Sequence, residues 1–172
     1  MQEVDTTIRK VQVIKMSKST VQSVEQRLRM IRLQLEAKFQ VKLVNLERPN
    51  LLFYREGDFF LPHRDRIFTE GHHIIQRREV SIVIFINGGE QTEETDVTEI
   101  ETYTGGELAF YILQDEQGHP FGLPLKAKPG LLVAFDSAVM HEVKPVTLGN
   151  RLTIVSWFLG EAEMEKGKTD DE

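Results

Sequence analysis

Val21, Val24, Leu28, Ile31 and Leu35 recur at alternating spacings of three and four. That period lays an apolar stripe along one helix face and predicts a helix over about residues 20–38. Ser19 followed three residues later by Gln22 reads as a capping box at its start. Beyond the helix the pattern changes to short apolar or alternating stretches at 41–46, 51–55, 59–63, 80–86, 107–112, 131–135, 140–146 and 151–159, punctuated by Gly, Pro, Asn and Asp. Many short strands separated by turn signals predict an antiparallel sandwich or barrel backed by one helix.

Composition narrows the class. With 172 residues and 40% hydrophobic content, the chain is long enough for one domain with a real core. We expect that domain to span 1–160, followed by a flexible charged tail at 161–172. The absence of cysteine excludes a disulfide framework, thiolate zinc, iron–sulfur ligation and a Cys nucleophile in this chain. No run approaches 18 apolar residues and the first ten residues, MQEVDTTIRK, carry no apolar signal core, so a soluble cytoplasmic protein without a membrane partner is expected. A net charge of −6 argues against nucleic-acid binding. Residues 90–101 carry six acids and no base, which predicts a solvated loop between strands.

The candidate chemistry lies in five residues. His63 and Asp65, two apart at the end of a strand, point to one side of it, and His141 on a distant strand can complete one face of an octahedron. Two imidazoles and one carboxylate with open positions suit ferrous iron in non-haem oxygenases. Arg151 opens the strand after the Leu148–Gly149–Asn150 turn, and Thr153 shares its face. A planar guanidinium fork beside a hydroxyl matches a carboxylate in a buried slot.

The stretches LLFYREGDFFLPHRD, VSIVIFINGG, GGELAFY and PGLLVAFDSAVMHEVKPVTLGNRLTIVSWF resemble, in order and spacing, the catalytic core of prolyl 4-hydroxylase-type, 2-oxoglutarate and Fe(II)-dependent dioxygenases. The resemblance runs from about Leu51 to Phe158. It implies a mainly β fold, the double-stranded β-helix or jelly roll, with a supporting N-terminal helix. It also implies that His63, Asp65 and His141 hold iron, that Arg151 pairs with the distal carboxylate of 2-oxoglutarate, and that Tyr54 lines the same pocket. The implied cofactors are Fe(II), 2-oxoglutarate and O2, with ascorbate as an optional addition. The implied reaction hydroxylates an amino acid, a peptidyl residue such as proline, or a small metabolite, with release of succinate and CO2. Asp65 favours a hydroxylase over related halogenases, which need a small residue there.

The chain departs from the animal oxygen-sensing members at Phe85, where those have a tyrosine, and at Thr153, where they have alanine. Thr153 is therefore expected to supply the hydroxyl that Phe85 lacks. The alternative reading is a metal-binding jelly-roll sensor or binding domain without turnover. Arg64, Arg66, Arg77 and Arg78 form either a solvated basic patch or a mouth for an anionic substrate. His72 and His73 read as loop surface, and His119 has no partner at ligand spacing.

Overall fold

The structure, a computed structural model, describes residues 7–68, 73–88 and 102–162. Two short strands, β1 (Arg9–Lys10) and β2 (Gln12–Ile14), precede α1 (Lys18–Met30) and α2 (Arg32–Phe39). The expected single helix is thus broken at Ile31, whose φ of −91° and ψ of −1° lie in the bridge region. Its N–H bonds to the Leu28 carbonyl, a tightened turn. The N-cap is Ser17, two residues earlier than anticipated, and its hydroxyl accepts the Thr20 N–H at 3.0 Å. The apolar stripe survives the break, since Leu28 and Leu35 are buried and Val24 and Ile31 pack with them against Val80, Ile82 and Phe158.

The strands that follow are β3 (Asn45–Leu46), β4 (Asn50–Tyr54), β5 (Phe59–His63), then α3 (His73–Gln76), β6 (Arg78–Phe85), β7 (Thr104–Gly105), β8 (Leu108–Gln114), β9 (Pro120–Leu125), β10 (Leu132–Asp136), β11 (His141–Val143), β12 (Val146–Leu148) and β13 (Arg151–Leu159). One sheet runs β1-β5-β11-β8-β9, the other β10-β6-β13-β4-β2 with β3 on the end of β13, and β7 pairs with β12. Every pairing is antiparallel. The two larger sheets enclose apolar clusters drawn from both, Leu52, Tyr54 and Val143 at one end and Val83, Phe85, Leu108 and Phe135 at the other. This is the expected jelly roll, with the helices covering the outer face of β6 and β13.

Several boundaries differ from the pattern for physical reasons. The predicted strand at 140–146 divides around Pro145, which has no N–H for a ladder, and its halves join different sheets. Only the last two residues of the 41–46 stretch are strand. β1, β2, β7 and β9 have no counterpart in the predicted strands; β9 contains Pro120 and Pro124, tolerated because it is an edge strand. The acidic stretch 90–101, His72 and residues 163–172 of the tail lie outside the described residues. No helix among the described residues is long and apolar enough to cross a membrane.

Candidate active site

β5 and β11 are adjacent antiparallel strands, and their register sets His63 directly opposite His141. Asp65 follows two residues after His63, past the end of β5. One carboxylate oxygen of Asp65 lies 3.7 Å from Nε2 of His63 and the other 3.6 Å from Nε2 of His141. One ligand atom from each of the three residues falls within 4.8 Å of the others. Both imidazoles are oriented from behind: Nδ1 of His63 is 2.8 Å from the Leu61 carbonyl, and Nδ1 of His141 is 2.9 Å from that of Val139. A carbonyl can only accept, so Nδ1 carries the proton and the Nε2 lone pairs face Asp65.

The carboxylate is oriented too. Ser81 on β6 donates to Oδ2 of Asp65 at 2.7 Å, and its hydroxyl lies 2.9 Å from that of buried Ser137. The sequence reading missed this pair. Its signal was a serine inside the otherwise apolar run VSIVIF, a position that must find a hydrogen bond when buried. Burial, reinforced by the charge of His141 and opposed by Asp65, pushes the His63 pKa down to about 4. His63 is therefore neutral at neutral pH, as a metal ligand must be. Two imidazole nitrogens and one hard oxygen, each side chain held by a further hydrogen bond, fit Fe(II).

The three residues share a cavity of about 340 Å³ with Tyr54, Arg151, Thr153, Val155 and Trp157. The alternation of β13 turns Arg151, Thr153, Val155 and Trp157 inward, while Phe158 joins the cluster under the helices. Arg151 is only 1% exposed, and no carboxylate among the described residues pairs with it. Its guanidinium lies 5.0 Å from the Tyr54 ring centre and 5.2 Å from that of Phe85. Nη1 donates to the Thr153 hydroxyl at 3.2 Å, and Nε has no hydrogen-bond partner among the described residues. A cation this buried calls for an anion in the cavity, because unpaired it bears a large desolvation penalty. Burial pushes the Tyr54 phenol up, and the charge of Arg151 partly offsets it.

Tyr103, also missed in the sequence, is a second buried phenol near Arg151. A Cβ built on Gly106 would meet both Arg151 Cδ and Tyr103 Cε2, so the two side chains converge on that glycine. Burial raises the Tyr103 pKa, again opposed by the charge of Arg151.

Most of the arginine cluster after the ligands is structural. Arg66 pairs with Glu79 and Asp136, Arg77 donates twice to the Gly160 carbonyl, and Arg78 is clamped by Glu47 and lies over the Trp157 ring. Arg64 donates to the Ala138 carbonyl. His73 is exposed at the start of α3, and His119 is 3.3 Å from Asp115, away from the cavity lining.

The sequence profile of the 2OG-Fe(II) oxygenase superfamily matches residues 49–159, a span that contains every residue of the site assembled above. A PKHD-type hydroxylase of a Picosynechococcus strain is 31% identical over 140 residues, covering 80% of this chain and 54% of the relative. One from a Synechococcus strain is 28% identical over 104 residues, 60% of this chain and 39% of the relative. The chain thus spans between about two-fifths and just over half of the length of these relatives. Among solved structures, a Pseudomonas putida prolyl-4-hydroxylase superimposes with a TM-score of 0.65 at 25% identity, covering 92% of this chain and 77% of the other. The viral collagen prolyl hydroxylase of Paramecium Bursaria Chlorella virus-1, in its 2OG complex, shares the fold at a TM-score of 0.61 and 12% identity, with 89% and 79% covered.

Proposed function

As the chain belongs to the 2OG-Fe(II) oxygenase superfamily, we propose that it is a prolyl 4-hydroxylase-like hydroxylase with His63, Asp65 and His141 as metal ligands and Arg151, Thr153 and Tyr54 as the cosubstrate pocket. The observation that carries this reading is the meeting, in one cavity, of two free imidazole nitrogens, a carboxylate and a buried guanidinium without a carboxylate partner among the described residues. When bound, iron supplies the oxygen chemistry that converts 2-oxoglutarate and O2 to succinate and CO2 while one oxygen atom enters a substrate C–H bond.

The residues of the chain bind, orient and exclude water. His63 and His141 present Nε2 with their protons parked on Nδ1. Asp65 brings the negative charge, and Ser81 fixes its rotation. Arg151 receives the far carboxylate through its planar fork. The Thr153 hydroxyl accepts from Arg151 and keeps its own hydrogen to donate to the same carboxylate. The Tyr54 and Phe85 rings flank the guanidinium and keep its charge from water, which strengthens its pull on an anion.

The substrate is an amino acid, a peptidyl residue such as proline, or a small metabolite; the prolyl hydroxylases among the relatives in fold favour the peptidyl option. The test is anaerobic loading with Fe(II) and 2-oxoglutarate, then exposure to O2 with a peptide and metabolite library, with and without ascorbate. Succinate formation and a mass gain of about 16 Da on one substrate, as one inserted oxygen requires, are expected. Tight binding of Mn(II) and 2-oxoglutarate with no succinate under any condition would instead mark a sensor domain without turnover.

A further inference from the structure

Arg9, on the edge strand β1, is the cavity-lining guanidinium that the site above leaves unassigned. The others have partners or roles: Arg151 faces the cosubstrate slot, Arg78 is clamped by Glu47, and Arg64 donates to a backbone carbonyl. Arg9 stands opposite Phe60 in the β1–β5 register. Val11, just past β1, packs in the same cluster between the sheets as Phe60, and Arg9 lines the cavity that this cluster borders. Its guanidinium carbon sits 4.8 Å from the Phe60 ring centre, and that ring stacks on His63 at 3.4 Å and 13°. The Arg9 Nε is buried and has no hydrogen-bond partner among the described residues. No acid among the described residues pairs with Arg9, whereas the next residue, Lys10, takes Asp58 at 3.0 Å.

A guanidinium over an aromatic ring, lining a cavity with no carboxylate among the described residues to meet it, is built to receive a planar anion. We propose that Arg9 binds a carboxylate of the primary substrate, so that this site takes substrates bearing an acidic group. The proposal rests on the hydroxylase reading for the word substrate; the anion site itself does not depend on turnover. 2-Oxoglutarate is the other source of a carboxylate here, but under the proposed function Arg151 with Thr153 would take one of its acid groups and the metal held by His63, Asp65 and His141 would take the other. Arg9 also approaches His63 from the opposite sheet to Arg151, across Phe60.

The experiment uses the whole chain loaded with diamagnetic Zn(II) and saturating 2-oxoglutarate, and titrates it with a panel of N-acetyl amino acids and the matching neutral amides. Binding is read by calorimetry and by the Nε–H resonance of Arg9 in nitrogen-15 spectra. At least one acid is expected to bind about tenfold or more tightly than its amide, the margin of one charge-assisted pair, and to shift the Arg9 resonance. R9M should erase that preference while leaving Zn(II) and 2-oxoglutarate affinities within about twofold, and R9K, a point charge without the fork, should retain part of it. Equal binding of every acid and amide to the unmodified protein would overturn the proposal. So would an R9M variant that keeps the preference, or one that loses 2-oxoglutarate affinity about tenfold, which would hand the guanidinium to the cosubstrate. A failure of the hydroxylase reading is visible separately, as absence of succinate from the Fe(II) protein with these binding results intact.

Discussion

Thr153 and Phe85 are direct cross-strand neighbours in the β13–β6 register, both buried, with the Arg151 guanidinium touching one and stacked near the other. This adjacency gives the expected hydroxyl exchange a physical basis. Cross-strand partners point to the same face, so a hydroxyl on either side chain enters the same part of the slot. T153A should weaken 2-oxoglutarate binding by about 2- to 12-fold, the typical range of one hydrogen bond. Adding F85Y should restore part of it, and R151A should cost far more than either. Calorimetric titration of 2-oxoglutarate into the Mn(II) protein measures all three; an unchanged affinity in T153A would remove the hydroxyl from the slot.

Ser81 reaches the metal site only through Asp65. Replacing it with alanine leaves the ligand set intact but frees the carboxylate to rotate. S81A is expected to lower Mn(II) affinity by about 10- to 100-fold, the usual scale for a group that orients a ligand, with little change in 2-oxoglutarate affinity once metal is saturating. H63A, D65A and H141A should each abolish tight metal binding and succinate formation while circular dichroism stays that of the folded chain. A variant among the three with full activity would break the triad assignment.

His63 ties stability to pH in the metal-free protein. Its pKa falls from 6.5 to about 4 on folding, through burial first and the His141 charge second. Between those values the unfolded chain binds the extra proton, so stability rises with pH across this window. The contribution is fully present above about pH 6.5 and lost as pH falls through about 4. The slope has a ceiling of about 1.4 kcal/mol per pH unit for one proton. Urea melts of H63A against the unmodified chain across this window should show the difference shrinking as pH falls; parallel lines would mean that His63 titrates as it does unfolded.

The candidate site was legible where sequence neighbours or strand alternation carry it. His63 and Asp65 lie two apart, and Arg151 and Thr153 share one face of the nine-residue β13, so local geometry was enough. The apolar stretches predicted an antiparallel sandwich or barrel, and the family resemblance of the ordered motifs narrowed this to the jelly roll. What escaped depends on partners far along the chain. β1 is two residues long and exists because β5 offers it an edge, so no local pattern announces it, and Arg9 enters the cavity only through that pairing. Ser81 meets Asp65 from another sheet, and Tyr103 reaches Arg151 across the β7–β12 ribbon region. The break at Ile31 escaped because the apolar period continues across it: Val24, Ile31 and Leu35 still share one cluster. In the arginine run after Asp65, charge alone could not separate ion pairs with Glu47 and Glu79 from an open mouth.

Gly149 connects turn chemistry to the cosubstrate slot. It holds a φ of +75°, and a Cβ added there would come within 2.6 Å of the Thr102 carbonyl oxygen. The turn delivers the chain to Arg151 two residues later, while Asn87 ties the start of β13 down by donating to the Asn150 carbonyl at 2.7 Å and accepting from the Leu152 N–H at 2.8 Å. G149A combines left-handed strain with a clash against backbone, which cannot rotate away as a side chain can. It should destabilise the fold by about 1–3 kcal/mol and tilt Arg151 in its slot. The metal ligands sit on β5 and β11 and just past β5, in the opposite sheet. Mn(II) affinity should therefore stay near that of the unmodified chain while 2-oxoglutarate affinity drops, and titrating both ligands into the folded variant measures the split. Equal losses for the two ligands would mean that the turn supports the cavity as a whole and not Arg151 in particular.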